Sequence, residues 1–296
     1  AVHGCMLSPQ GRSPLSVSGQ LTGGTYRIAG NISSQFITGL LLALPLLEAD
    51  SRIEITGTLE SRPYVDLTLQ VLCTFSIAIQ ETATGFAIRG RQRFTAPHTI
   101  QVEGDWSNAA CWFTLGALQQ APVTVTGLSL GSPQGDKAFL SVLERFGAQV
   151  AAFTDHITVS GGKLHGIDID VSATPDLVPM IAAVALKADG ETRIQNAARL
   201  RLKECDRLQA IANTLGTFGA QVDETDDGLV IHGGQALHGG TVSSQNDHRI
   251  AMMAAVVSAV CKGDITIAQA DAVNKSYPRF FDDFRLLGGT AREVQP

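Results

Sequence analysis

Several protein classes are excluded by what this chain of 296 residues does not contain. No CxxC pair occurs, and the seven histidines do not fall at metal-ligand spacings, so no zinc site is expected. No P-loop is present, and no GxSxG nucleophile elbow is expected. No long basic run occurs, and the formal net charge of -6 with a pI near 5.6 argues against a nucleic-acid face while leaving room for a local cationic pocket. The longest apolar segment, ITGLLLALPLLEA, is too short to cross a bilayer. The amino-terminal AVHGCMLSPQ lacks the charged-then-apolar order of a secretory leader. The five cysteines are odd in number and scattered, which suits a reducing cytoplasm.

What remains is an ordinary globular composition, 44% hydrophobic, in a chain long enough for two domains. Its most informative property is self-similarity. Four polar clusters, GNISSQF, EGDWSNAACWF, ATPDLVPM and SQNDHRIAMM, are each followed by an apolar run of helical length. Ser33, Ser107, Asp176 and His248 mark matching places, 74, 69 and 72 residues apart. An alternating segment follows each run (SRIEITG, PVTVTG, ETRIQNA, DITIAQA), whose period of two predicts a half-buried strand. Then come a polar turn and a second, amphipathic helix ending at Phe75, Phe146, Phe218 or Leu287, with Gly147, Gly219 and Gly288 as C-terminal caps. Two more strands with hairpin turns at Thr154-Asp155 and Asp226-Asp227-Gly228 close a unit.

The first helix of each unit is apolar nearly all round and is expected to be buried on every side, whereas the strands can leave one face in water. The pattern predicts an α/β fold of pseudo-symmetric βαβαββ repeats with helices inside and sheets outside. Independent α/β sandwiches strung together are the alternative.

Only 17% of the residues are charged, yet LRLKECDRL at 200–208 holds five charged side chains within seven positions. If it is helical from Lys203, Lys203 and Arg207 stand at i and i+4, where like charges repel. Pairing of Lys203 with Asp206 and of Glu204 with Arg207 on a solvated face is one account; a shared anion is the other. Ser33 and Ser34 read equally as helix caps and as hydroxyls for a phosphate. Asp176 reads as a first-turn carboxylate or a base, and Asn246 and Asp247 read as caps. Capping does not explain His248 followed by Arg249, because a cation at a helix start opposes the dipole unless an anion is near. Lys275, in the turn before the last helix, matches Ser61 in position. Lys203, Arg207, Arg249 and Lys275 thus occupy equivalent ends of related units, which points to a pocket for a polyanion.

GNISSQF, SRPYVDLT, EGDWSNAA, the TPD before LVPM, LKECDRL, NDHRIAM and VNKSYPRFF, taken together and in order, resemble the EPSP synthase family over essentially the whole chain. The resemblance implies an inside-out α/β barrel of six units in two domains with the active site in the cleft between them. Four units are matched here: residues 1–102 would be the last unit of the N-terminal domain and 103–296 a complete C-terminal domain of three. On that expectation two of the family's units and their substrate-binding loops are missing at the front of this sequence, and the chain alone has little or no activity. Gln134 to Lys137, QGDK, is not the family's lysine loop.

The implied reaction moves the enolpyruvyl group of phosphoenolpyruvate to the 5-hydroxyl of shikimate 3-phosphate, with release of phosphate and no metal or organic cofactor. By motif match, Ser33, Ser34, Ser61 and Lys203 would hold the shikimate phosphate, with Gln35, Tyr64 and Asp176 at its ring. Asp176 would be the base for the hydroxyl and Glu204 the proton donor to the methylene. Arg207, Arg249 and Lys275 would grip phosphoenolpyruvate, beside His248. Cys205 stands where serine or threonine is common, and Arg199 where some members place asparagine. The resemblance further implies a cytoplasmic monomer acting on small molecules, with no nucleic-acid or membrane partner. The related transferase acting on a UDP-amino sugar is the nearest rival, and a non-catalytic binding fragment is another.

Overall fold

A computed structural model describes residues 3–8 and 14–294; parts of the AVHGCMLSPQ segment lie outside them. The chain divides into two compact units, Ala1–Gln101 and Val102–Pro296.

The first unit holds a hairpin of β1 (Cys5–Ser8) and β2 (Ser16–Gly19) and a sheet built from β3 (Thr25–Ala29), β4 (Ser51–Thr56), β5 (Ile79–Thr82) and β6 (Gly85–Ile88). Sheet order is β3-β4-β6-β5, with β3 and β4 parallel and the other pairs antiparallel. Helices α1 (Ser34–Ala43) and α2 (Arg62–Thr74) cover it, joined by a 3.0 Å hydrogen bond between the Thr38 and Thr68 hydroxyls. The expectation of all-round burial does not hold for α1. Ile37 and Leu41 are buried against the core that Ile53, Val65, Leu72 and Phe86 build, but Phe36 and Leu42 are exposed. Within this unit α1 has one sheet and one helix to pack against, enough to cover a single face.

In the second unit the expectation holds. Its helices are α3 (Trp106–Leu118), α4 (Phe139–Phe146), α5 (Val178–Ala185), α6 (Arg207–Thr217), α7 (His248–Val257) and α8 (Phe280–Leu286). Every residue of α5 is buried, as are all of α7 except Arg249 and all of α3 except Ser107 and Asn108. α3, α5 and α7 contact one another. Each large aliphatic side chain removed from water there contributes about 1.5–3 kcal/mol. Gly116 brings α3 against β9 (His156–Ser160): a Cβ on it would lie 2.5 Å from the Val159 carbonyl.

The second unit also holds three sheets. One is ordered β7-β9-β8, with β7 (Val123–Thr126) and β8 (Gln149–Ala152) both antiparallel to β9. The second is ordered β10-β11-β13-β12, from β10 (Asp168–Asp170), β11 (Glu191–Gln195), β12 (Gln221–Glu224) and β13 (Leu229–His232). It repeats the sense of the first unit's sheet, one parallel pair followed by antiparallel ones. The third is the parallel pair β14 (His238–Ser243) and β15 (Lys262–Ala268).

The backbone also recurs. The residue after β4, β7, β11 and β15 is left-handed each time: Gly57 (φ 71°), Gly127 (φ 80°), Asn196 (φ 60°) and Gln269 (φ 58°). A second left-handed residue follows α2, α4, α6 and α8, at Ser76, Gly147, Gly219 and Gly288. There the αL turn supplies donors to helix-end carbonyls that the ladder leaves unpaired.

Gly127 to Gly131, GLSLG, does match the GxSxG spacing, against expectation. It is not a nucleophile elbow, because β7 passes into a turn and then a short 3₁₀ segment, with no helix beginning at Ser129. Among the described residues no helix is long and apolar enough to cross a membrane, and no group of three or more His, Cys, Asp or Glu side chains is placed to hold a metal ion.

Candidate active site

The helix expected from Lys203 starts later. Ala198–Leu202 is a 3₁₀ turn, Lys203 is extended, and α6 begins at Arg207 because the Asp206 carboxylate caps it, accepting from the Gln209 N–H at 3.2 Å. Lys203 and Arg207 are therefore not i, i+4 neighbours on one helix, and the predicted repulsion does not arise. Asp206 pairs with Arg201 at 3.0 Å, and Lys203 reaches Asp176 at 3.4 Å. The expected Glu204–Arg207 pair forms, at 2.6 Å.

Arg207 is the centre of the arrangement. Its side chain is 1% exposed, and three carboxylates surround it: Asp247 at Nε (2.9 Å), Asp176 at Nη1 (2.9 Å) and Glu204 at Nη2 (2.6 Å). These come from 40 residues downstream, 31 upstream and three residues away. Asp176 sits in the 3₁₀ turn Pro175–Leu177 ahead of α5 and meets three cations. Besides Lys203 and Arg207, Arg249 donates from Nη2 to its Oδ2 at 3.3 Å. Burial pushes the Asp176 carboxyl up, but Arg249, Lys203 and Arg207 outweigh it and hold it well below the usual carboxylate range.

Arg249 stands in the first turn of α7. The anion that offsets the helix dipole is supplied by the chain itself, from Asp176 and from the capping Asp247, which accepts the Arg249 N–H at 2.8 Å. Its Nη1 also donates to the Ser107 hydroxyl at 2.6 Å. Lys275, at the end of the 3₁₀ turn Ala270–Lys275, donates to the carbonyl of Asn246, just before Asp247. His248 is buried, and its Nδ1 has no hydrogen-bond partner among the described residues.

Asp247 and Ser107 are the functional-looking positions that sequence reasoning missed. Asp247 was legible only as a cap, which it is; its second bond, to Arg207, joins two helices far apart in the chain. Burial pushes the Asp247 carboxyl up, and Arg207 more than offsets it, so the group stays ionised. Cys205 donates to Asp247 at 3.7 Å, and burial, then Asp247, push its thiol up to about 12, so it is an inert neighbour. Arg199 donates to the Ser172 carbonyl and so ties the loop ahead of Asp176. Lys137 is taken up by the Leu130 and Ser132 carbonyls, at 3.0 and 2.7 Å.

The serine group of the first unit forms a separate set. Ser33 caps α1, accepting the Gln35 N–H at 3.3 Å, and Ser34 and Gln35 open that helix. Ser61 precedes α2 in a left-handed conformation (φ 53°) without a capping bond from its hydroxyl, and Tyr64 lies in the first turn of α2. The Glu60 N–H donates to the Gly30 carbonyl at 3.1 Å, so the loops carrying Ser33 and Ser61 are joined. A serine held at positive φ costs about 1–3 kcal/mol, a strain found most often at ligand sites.

The family model for EPSP synthase (3-phosphoshikimate 1-carboxyvinyltransferase) matches residues 5–284. The chain belongs to the EPSP synthase family. It is 46% identical over 284 residues to the 3-phosphoshikimate 1-carboxyvinyltransferase of Clostridium kluyveri, covering 96% of this chain and 66% of that one. The Clostridium perfringens enzyme of the same name is 46% identical over 281 residues, 94% of this chain and 66% of that one. The chain thus spans just under two thirds of the length of these relatives. Among solved structures, an EPSP synthase from Acinetobacter baumannii superposes with a TM-score of 0.80 at 26% identity, covering 99% of this chain and 70% of that one. The enolpyruvyl transferase NikO from Streptomyces tendae shares the fold, with a TM-score of 0.77 at 19% identity over 98% of this chain and 70% of its own.

A pH prediction follows from His248. Burial first, then Arg249, lower its pKa, so the fold holds the imidazole neutral while the unfolded chain protonates near 6.5. The unfolded state then binds the extra proton, and stability is expected to fall as pH drops below about 6.5. In thermal melts between pH 7.5 and 5.5, His248→Gln should flatten that slope; an unchanged slope would remove His248 as its cause.

Proposed function

We propose that the chain carries the enolpyruvyl-transfer site of a 3-phosphoshikimate 1-carboxyvinyltransferase, built from βαβαββ units with helices inside and sheets outside. On this reading residues 1–102 are the last unit of one domain and 103–296 a three-unit second domain. The substrates are phosphoenolpyruvate and shikimate 3-phosphate, the protein acts as a cytoplasmic monomer, and neither nucleic acid nor membrane is a partner. The observation that carries the reading is the convergence of Lys203, Arg207 and Arg249 on Asp176, with Glu204 on the same guanidinium.

Lys203 is assigned to the shikimate phosphate, as are Ser33, Ser34 and Ser61 of the first unit, with Gln35 and Tyr64 at the ring. Arg207, Arg249 and Lys275 are assigned to phosphoenolpyruvate, with His248 beside them. In the reaction Glu204 gives a proton to the methylene carbon of phosphoenolpyruvate, and the adjacent carbon becomes electrophilic. The 5-hydroxyl attacks that carbon while Asp176 takes its proton. Loss of phosphate, with a proton from the new methyl group, completes the transfer. Without ligand Asp176 is a poor base, because three cations hold its charge. Substrate anions that draw those cations away raise its basicity when it is needed.

Calorimetric titration of the 296-residue chain tests the substrate class. Shikimate 3-phosphate is expected to bind and to raise the melting temperature, and UDP-N-acetylglucosamine to do neither. Binding of the UDP-sugar alone would overturn the choice.

A further inference from the structure

The face of α3 that carries Asn108 and Trp112, one helical turn apart, does something the reaction scheme leaves unused. Trp112 is 6% exposed, and its Nε1–H donates to the Tyr277 hydroxyl at 3.0 Å. The hydroxyl passes the chain on, donating to Asp283 Oδ2 of α8 at 2.7 Å. The indole also stacks on Phe280, with centroids 5.1 Å apart, and meets the Tyr277 ring edge-on at 5.8 Å. Asn108, held by Asp105 at 2.9 Å, donates to the Ser276 carbonyl at 3.2 Å. Two successive residues, Ser276 and Tyr277, are therefore fastened to α3 directly after Lys275. Their own N–H groups both return to the Val273 carbonyl, which closes the turn.

Burial and then the Asp283 bond push the Tyr277 phenol up to about 12, so it stays protonated and can accept from Trp112 while donating to Asp283. The neighbouring residue of the same helix, Ser107, holds Arg249. One turn of α3 thus touches the supports of two cations assigned to phosphoenolpyruvate.

We propose that Tyr277, fastened between Trp112 and Asp283, is a positioning residue that holds the turn carrying Lys275, with Asn108 on Ser276 as the second fastening. The link to phosphoenolpyruvate rests on the assignment of Lys275 above; the fastening itself does not. Ordering the turn beforehand means that binding an anion does not have to freeze it.

The experiment uses the 296-residue chain with Tyr277→Phe, which removes only the hydroxyl. Trp112→Phe, which keeps an aromatic ring against Phe280 but has no N–H donor, is the second variant. Acetylation of individual lysines by a dilute anhydride is followed by mass spectrometry, with Lys262 as the reference. In both variants Lys275 is expected to label about two- to tenfold faster, the equivalent of one lost hydrogen bond, with Lys262 unchanged. The double variant should add little to either single one. Asp283→Asn keeps an acceptor and should stay close to the parent chain.

Calorimetry with phosphoenolpyruvate is the second arm, and affinity in Tyr277→Phe is expected to fall by a similar factor. Lys275 labelling that does not change overturns the proposal. So does faster labelling of Lys262 and Lys275 alike, which would mean general loosening. If Lys275→Ala binds phosphoenolpyruvate as tightly as the parent chain, the assignment of Lys275 to that anion fails, and the labelling alone decides the fastening.

Discussion

Arg207→Ala is expected to lower the unfolding free energy of the Val102–Pro296 unit by about 3–5 kcal/mol, the usual cost of stranding a buried partner charge. The residue is 1% exposed and Asp247 opposite it is 0% exposed, so neither charge reaches water when the other is removed. Asp176 keeps Lys203 and Arg249, and Glu204 is partly open to solvent, so Asp247 bears most of the loss.

The pH dependence gives this prediction a sign. In the parent chain the Asp247 carboxyl lies below its ordinary value, so its stabilisation is present above about pH 4 and disappears as pH falls through the folded-state value. In the variant, burial acts without its largest counterweight, with the Arg249 N–H bond remaining, and the same group is expected to rise. The deficit should therefore be largest near neutrality and shrink in acid. Urea unfolding at pH 7 and pH 5 measures both, with the midpoint moving and the slope constant. A midpoint unmoved at pH 7 would mean that the three-carboxylate arrangement does not form.

Arg249→Ala should leave the fold in place and strike ligand binding instead. Its side chain is 14% exposed, and Asp176 retains two other cations when it is lost. Hydrogen bonds to charged groups contribute about 1.5–3 kcal/mol, so the dissociation constant for phosphoenolpyruvate is expected to rise about ten- to a hundredfold. Arg249→Lys should recover only part, since an ammonium cannot reach the Ser107 hydroxyl and a bound anion with a planar fork. Titration calorimetry on the same preparations used for unfolding separates the two variants. Binding untouched by Arg249→Ala would remove this residue from the anion site.

Much of this was legible in the sequence because it is written in short-range pattern. Alternation in SRIEITG and DITIAQA located β4 and β15, and apolar runs located α3, α5 and α7. Of the four cations, Arg249 stood out by a local misfit at a helix start and Lys275 only by its match to Ser61, while the repulsion inferred between Lys203 and Arg207 rested on a helix that does not include Lys203. What escaped depends on separations that no short window contains. Asp247 looks like any cap until Arg207 arrives from another helix. The serine that steadies Arg249 is 142 residues away from it. The start of α6 was misplaced for the opposite reason, since Asp206 as a cap competes with helix propensity in LKECDRL and wins.

The burial of α3, α5 and α7 on every side has a consequence for biosynthesis. None of the three has a water-facing stripe with which to wait, and their mutual contacts link the start of the second unit to its last helices. A ribosome therefore releases the greasy segment at Trp106–Leu118 well before the partner at His248–Val257 exists. Until that partner is made, the newborn segment has to be shielded by a chaperone or risks clumping with its neighbours.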